Sequence, residues 1–91
     1  MDNIKNPPLV SILIPTYNRP YYFKIALESA LAQTYSNIEI IIGDDSTNDE
    51  TEILMQTHYL PNHKHITYIR NATTLGQFNN SLMLLKQSHG E

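Results

Sequence analysis

The chain has 91 residues, enough for one small domain, and 41% of them are hydrophobic. A net charge of −3 and the lack of a basic run argue against nucleic-acid binding. No apolar stretch reaches the roughly 20 residues that span a bilayer, and residues 1–8 are polar, unlike a signal peptide. With no cysteine, the composition favours a soluble cytoplasmic α/β domain over residues 9–91, after a flexible lead-in over residues 1–8.

The first predicted unit is a strand followed by a helix. Residues 9–14 form a short β-branched run that is typical of a strand buried on both faces. We expect this strand to end before Pro15, with a loop up to Pro20, which suits the first turn of a helix. That helix is predicted over residues 21–33. Its apolar residues fall at helical spacing and form one stripe: Phe23, Ala26, Leu27, Ala30 and Leu31.

The second unit starts with another apolar strand, over residues 38–42. Gly43-Asp44-Asp45-Ser46 follows at its carboxyl end. Thr47-Asn48-Asp49-Glu50 then has the form of a capping box, which predicts that Thr47 caps a helix over about residues 48–58.

The third unit consists of a strand over residues 66–70, a polar loop over residues 71–76 and a helix over residues 77–88. We expect Phe78, Leu82 and Leu85 to face the core. Gly90 is interpreted as the C-cap of this helix.

Strands alternating with helices predict a parallel sheet with right-handed crossovers. In such sheets the ligand lies outside the carboxyl ends of the strands. Residues 15–19, 43–46 and 71–76 meet that edge, so we expect these three segments to line the binding site.

The adjacent carboxylates of Asp44 and Asp45 are the most informative pair in the sequence. A carboxylate here could accept the N3–H of uracil, whereas cytosine carries an acceptor at that position. It could also accept a ribose hydroxyl or coordinate a hard cation. The alternative is that both residues only stabilise the start of the following helix.

A second polar cluster follows the first strand. Tyr17 offers a ring that could stack on a base, and Arg19 could approach a phosphate. Turn formation alone would explain Asn18, and Tyr17 could equally be a packing residue. The four histidines do not match a structural zinc pattern. Because no glycine-rich phosphate loop is present, a divalent cation is the expected phosphate partner.

Three stretches resemble the opening of glycosyltransferase family 2: residues 10–19 (VSILIPTYNR), residues 30–35 (ALAQTY) and residues 38–51 (IEIIIGDDSTNDET). The resemblance implies an α/β fold of the Rossmann-like GT-A type, with three βα units truncated before the fourth strand. It also implies inverting transfer of a sugar from a nucleotide-sugar donor, such as a UDP-sugar, to a carbohydrate or other hydroxyl acceptor.

The resemblance also assigns roles to residues. Asp45 would bond the uracil ring, Tyr17 would stack near it, and Asp44 would support the loop. The predicted nucleotide-binding set is Pro15, Thr16, Tyr17, Arg19, Asp44, Asp45, Gly76 and Asn80. Where the family usually has an Ala-Arg-Asn segment, this chain has Gly76-Gln77-Phe78-Asn79-Asn80, so no arginine is available there.

Family members use Mg²⁺ or Mn²⁺, and the resemblance places the metal carboxylates, the acceptor site and the catalytic base beyond Glu91. We therefore expect the 91-residue chain to be inactive by itself. Because the fourth strand is missing, we also expect it either to self-associate through an exposed sheet edge or to be marginally stable. A longer parent protein would act in the cytoplasm or at the inner face of the membrane. The alternative is a non-catalytic nucleotide- or partner-binding module.

Overall fold

A computed structural model of the protein describes residues 8–90, so the predicted lead-in lies outside the described residues except for Pro8, and so does Glu91. The strands are β1 (Val10–Thr16), β2 (Ile38–Asp44) and β3 (Ile66–Arg70). The helices are α1 (Pro20–Leu31), α2 (Glu50–Leu54) and α3 (Gln77–Gln87). After α2 the chain continues as a π-helical segment, Met55–Tyr59, and a 3-10 turn, Leu60–Asn62.

The described strands form one parallel sheet in the order β1-β2-β3, as the alternation of strands and helices predicts. β2 lies in the centre, where its isoleucines are covered on both faces. Ile40, Ile41 and Ile42 are each at most 1% exposed. A continuous apolar run is the pattern that such a doubly covered strand requires.

The two faces of the sheet are covered by different helices. Since side chains alternate along a strand, Ile40 and Ile42 point to one face, where they pack with Phe23 and Leu27 of α1. Helix α3 covers the opposite face, against β1 and β2. There Leu84 comes close to the backbone of Gly43. No helix in the part of the chain that the structure describes is long and apolar enough to cross a membrane.

The expected end of β1 before Pro15 is wrong, because the strand runs on through Thr16. Pro15 pairs with Gly43 across the sheet, and the carbonyl of Thr16 accepts a hydrogen bond from the N–H of Asp45 at 2.9 Å. Within the described sheet β1 is an edge strand, where proline is tolerated because its missing N–H need not face a partner.

The capping box predicted at Thr47 does not form. Helix α2 begins at Glu50, whose N–H donates a hydrogen bond to the side-chain carbonyl of Asn48 at 3.1 Å. The hydroxyl of Thr47 accepts a hydrogen bond from the amide of Asn18 at 2.9 Å. Thr47 is thus used to join two loops and not to cap the helix.

The predicted inward face of α3 is wrong. Phe78 and Leu85 are 76% and 60% exposed, whereas Asn80 and Leu84 are 2% and 0% exposed. The helix is rotated so that Asn80, one turn before Leu84, faces the sheet. Its polar side chain can be buried there because it forms hydrogen bonds with the carbonyl of Gly43 and the side chain of Asn71.

Gly90 is not the C-cap of α3. The helix ends at Gln87, and Gly90 lies beside the start of β1, where its N–H donates to the hydroxyl of Ser11 at 2.8 Å. A Cβ atom on Gly90 would lie 2.5 Å from the carbonyl oxygen of Leu9. The glycine is therefore required by the close approach of two backbones.

Candidate functional site

A cavity of about 350 Å³ lies at the carboxyl edge of the sheet. Seven of the eight residues predicted to bind nucleotide line it, and Asp44 does not. The complete lining is Pro15, Thr16, Tyr17, Arg19, Asp45, Thr74, Gly76, Gln77 and Asn80. The three segments that the parallel topology assigns to this edge therefore do come together.

One side of the cavity, the open wall, consists of residues 15–19. Tyr17 is 50% exposed and lines the cavity, so its side chain is within reach of a ligand there. Among the described residues, none makes a hydrogen bond or an ion pair with the side chain of Arg19. These two side chains are thus free to adjust to what enters the cavity.

The backbone of the open wall is fixed at Asn18. This residue has a φ of 49°, a left-handed conformation that asparagine tolerates better than most residues. Its N–H donates to the hydroxyl of Ser46 at 2.8 Å, and its side-chain carbonyl accepts from the N–H of Thr47 at 2.9 Å. Asn18 therefore joins the loop after β1 to the loop after β2.

The opposite side, the bonded wall, is built around Asp45, which is 3% exposed. Its Oδ1 atom accepts hydrogen bonds from the N–H of Leu75 at 2.8 Å and the amide of Asn71 at 2.9 Å. Its Oδ2 atom accepts one from the N–H of Gly76 at 2.8 Å. The bonded wall is thus defined as Asp45, Asn71, residues 74–76 and Asn80.

These contacts decide the protonation state of Asp45. Burial alone would raise the pKa of Asp45, but the hydrogen bonds from Leu75, Asn71 and Gly76 outweigh it and hold that pKa below its ordinary value. An ionised carboxylate can only accept hydrogen bonds and has about four acceptor positions. Three are filled within the chain, which leaves one on Oδ2.

Asp44 has a different task from its neighbour. It is fully buried, and its Oδ1 accepts from the N–H of Ser46 at 2.9 Å while its Oδ2 accepts from the hydroxyl of Tyr68. Burial and this bond to the carboxylate raise the pKa of Tyr68. The structure therefore places Asp44 behind the cavity, where it holds the loop after β2.

Arg70 braces the same loop from the outside. Its guanidinium donates to the carbonyl of Ser46 at 3.1 Å and to the carboxylates of Asp49 and Glu52 at 3.1 and 2.6 Å. The first of these carboxylates is exposed to solvent, so that ion pair contributes less than about 1 kcal/mol. The main effect of Arg70 is to tie the end of β3 to the start of α2.

Gln77 lies outside the three segments predicted to line the site, whereas Asn18, Asn71 and Thr74 lie within those segments but are not in the predicted nucleotide-binding set. Thr74 donates to the carbonyl of Asp45 at 3.2 Å, and Gln77 lines the cavity. Gly76, which belongs to the predicted set, has a φ of 89°, and its N–H reaches the carboxylate of Asp45. Asn71 follows a strand directly, as Asp45 does, and could have been included on that ground.

Asp44 and Asp45, one of which could by its chemistry coordinate a hard cation, are not arranged as a cation site. The oxygens of Asp44 and Asp45 are directed at hydrogen-bond donors of the chain itself. Within residues 8–90, no three His, Asp or Glu side chains are placed so that they could share a metal ion. No chemical step is therefore assigned to a metal in this part of the protein.

Comparison with known proteins agrees with this geometry. The sequence profile of the family described as "Glycosyl transferase family 2" matches residues 11–91. The chain belongs to glycosyltransferase family 2. The resemblance is thereby confirmed, and a solved structure of the same fold type confirms the parallel sheet of the GT-A fold that it implied.

Two relatives are similar to the chain over about half of its length. A glycosyltransferase of Rickettsia prowazekii is 60% identical over 47 residues, which is 52% of this chain and 15% of the relative. The Escherichia coli protein named UDP-Glc:alpha-D-GlcNAc-diphosphoundecaprenol beta-1,3-glucosyltransferase WfaP is 58% identical over 43 residues, 47% of this chain and 17% of that protein. The chain thus matches less than a fifth of the length of either.

A solved structure shares the fold. The mannosyltransferase PcManGT from Pyrobaculum calidifontis, in complex with GDP-Man and Mn²⁺, superposes with a TM-score of 0.81 at 21% identity. The match covers 96% of this chain and 26% of the mannosyltransferase.

Proposed function

We propose that the cavity binds the nucleoside of a nucleotide-sugar donor, and that the protein to which this chain belongs transfers the sugar to an acceptor hydroxyl. The observation that carries the proposal is the buried, ionised Asp45, which has one acceptor position left in the cavity that the half-exposed Tyr17 also lines. A planar base with an N–H on its edge satisfies both groups, since it can stack on the ring and donate to the carboxylate.

We propose uracil as the preferred base. Uracil presents a single N–H at its pairing edge, which matches the single position left on Oδ2 of Asp45. Guanine presents two neighbouring N–H groups and so leaves one unsatisfied, whereas cytosine presents an acceptor that the carboxylate repels. The name of one relative contains UDP-Glc and that of the structural neighbour contains GDP-Man, so both bases with an N–H occur among similar proteins.

The residues of this chain would bind and orient the donor, without touching the bond that breaks. Family membership implies inversion at the sugar and a Mg²⁺ or Mn²⁺ ion that neutralises the leaving diphosphate. On this proposal the chain contributes the fixed nucleoside position from which transfer proceeds.

The test is a nucleotide titration of the 91-residue chain in metal-free buffer, followed by amide NMR. We expect UDP to bind with a dissociation constant of roughly 1 mM, GDP more weakly and CDP weakest. The amide resonances of Tyr17, Leu75 and Gly76 should shift on UDP addition. Equal affinity for CDP and UDP, or shifts confined to residues outside the cavity, would contradict the proposal.

A further inference from the structure

We propose that Asn80 is a positioning residue of this site, which acts through Asn71 to set the orientation of the Asp45 carboxylate and thereby its choice of base. The inference rests on the proposed function, because it assigns a role within the same cavity. Asn80 lies in the first turn of α3 and is only 2% exposed, an unusual place for an asparagine unless its amide is fully used.

The orientation of the Asn80 amide is fixed by a backbone carbonyl. Its Nδ2 donates to the oxygen of Gly43 at 3.0 Å. Since a carbonyl oxygen can only accept, the nitrogen must face Gly43 and the Oδ1 must face away from it. That Oδ1 accepts a hydrogen bond from the amide of Asn71 at 3.0 Å.

The side-chain amide of Asn71 connects Asn80 to Asp45 through two hydrogen bonds. Its Nδ2 carries two hydrogens: one is directed at Oδ1 of Asn80, and the other at Oδ1 of Asp45 at 2.9 Å. The backbone N–H of Asn71 also donates to the carbonyl of Asp44 at 2.9 Å, which holds the residue at the end of β3. The amide of Asn71 therefore cannot rotate without breaking a bond to Asn80 or to Asp45.

Gly43 provides the space for this chain of contacts. A Cβ atom at that position would lie 2.6 Å from Oδ1 of Asn80 and 3.1 Å from the side chain of Leu84. No side chain larger than hydrogen leaves the amide where it is. The central strand and α3 are thus both shaped to hold one buried polar group.

The consequence concerns base recognition. While Asn71 and Leu75 occupy Oδ1 of Asp45, only the position on Oδ2 remains for a ligand. If Asn80 is lost, the amide of Asn71 is held only by its bond to Asp45, and each time it turns away the carboxylate regains a second acceptor position. The site then suits the two N–H groups of guanine better than before and loses part of its fit to uracil.

The experiment compares Asn80→Ala, Asn71→Ala and the double variant, each titrated with UDP and with GDP. We expect each single substitution to weaken UDP binding about three- to tenfold and to bring the UDP and GDP affinities closer together. The double variant should behave like either single variant, because both residues act through the same bond. In the free protein, the amide resonances of Leu75 and Gly76 should move in all three variants.

Leu84→Val is the matched control. Leu84 is fully buried one turn after Asn80 and touches the same region of β2, but it has no place in the polar chain. It should lower stability while leaving the ratio of UDP to GDP affinity unchanged.

An additive loss of UDP affinity in the double variant, or a ratio that changes equally in Leu84→Val, would overturn the proposal. If Asn80→Ala does not fold, the half-buried Asn71→Ala carries the test, and unchanged Leu75 and Gly76 resonances in it contradict the inference. If the unsubstituted chain binds no nucleotide, the proposed function fails. Movement of those two resonances in the free variants would still support the positioning role.

Discussion

The two walls of the cavity differ in how much of each the protein has fixed before a ligand arrives. In the bonded wall, the two oxygens of Asp45 receive three hydrogen bonds, and the residue is 3% exposed. In the open wall, Thr16 in β1 and Asn18 fix the backbone, but the side chains of Tyr17 and Arg19 are exposed. A preorganised wall costs little reorganisation on binding and gives specificity, whereas exposed side chains add contact area but lose conformational entropy when a ligand orders them.

The largest effect is expected for Asp45→Asn, which breaks the bonded wall. One oxygen becomes an NH₂ group that faces the N–H of either Leu75 or Gly76, so two donors oppose each other. We expect the free energy of unfolding to fall by about 1–3 kcal/mol and UDP affinity to fall at least about tenfold. Urea unfolding and nucleotide titration measure the two quantities separately.

Asp49→Asn is the control for this substitution. Asp49 is an exposed carboxylate at the same edge of the sheet, paired with Arg70 and outside the cavity lining. It should change stability by less than about 1 kcal/mol and leave UDP affinity unchanged. Equal effects of the two substitutions would mean that overall charge, and not the bonded wall, determines binding.

The open wall is best tested at Asn18, which fixes its backbone. Asn18→Ala removes both bonds to Thr47 and places alanine at a φ of 49°. We therefore expect the free energy of unfolding to fall by about 1–3 kcal/mol. Asn18→Gly removes the same bonds, but glycine adopts this φ without strain, so its free energy of unfolding should fall less than that of Asn18→Ala. Asn62→Ala, in an exposed turn, is the control for asparagine replacement. If alanine and glycine are equally destabilising, the left-handed conformation costs nothing here.

Some features that form the two walls can be predicted from the sequence, and others cannot. The apolar runs of β2 and β3 and the βα order locate the edge, and the end of β3 at Arg70 was predicted correctly. The rotation of α3 was not, because hydrophobic spacing assigns Phe78 and Leu85 to the core while the inward position belongs to Asn80. A buried asparagine is stable only through partners that are distant in sequence. Periodicity carries no information about such partners.

The same reason explains the missed role of Thr47. Its local pattern matches a capping box, but both its hydroxyl and its N–H form hydrogen bonds with the side chain of Asn18, 29 residues earlier. Local signals describe what a segment does alone, and tertiary contacts choose among the options. The bonded wall is made almost entirely of such long-range contacts, which is why the sequence predicts Asp45 and Gly76 at this edge but not the hydrogen bonds that join them.

A smaller effect on binding alone is expected at Tyr17. Tyr17→Ala should weaken UDP binding by about 1 kcal/mol through lost stacking, with little change in stability because half of the ring is already exposed. Tyr17→Phe keeps the ring and should bind like the unsubstituted chain. Tyr22→Ala, 63% exposed on α1, is the control. A loss in Tyr17→Phe equal to that in Tyr17→Ala would assign the contact to the hydroxyl and not to the ring face.

The smallest effect is expected from pH. Because the pKa of Asp45 is lowered in the folded state, its contribution to stability is present above the ordinary aspartate value of about 4. It is lost only as the pH falls through the lowered value. Uridine affinity should therefore stay constant between about pH 8 and 5, and decline below about pH 4. Uridine is the proper ligand, since a terminal phosphate titrates near pH 6.

Acid unfolding at the far end of the sheet must be separated from this effect. The hydroxyl of Ser11 and contacts with His89 lower the pKa of Glu39, which therefore also stabilises the fold above the ordinary glutamate value. In Glu39→Gln that contribution is absent, so it no longer overlaps the acid response of the bonded wall. The Leu75 and Gly76 amide resonances should follow it, because their N–H groups lose an ionised acceptor when Asp45 is protonated. A midpoint above about pH 5 for these resonances would contradict the ionised state on which base recognition depends.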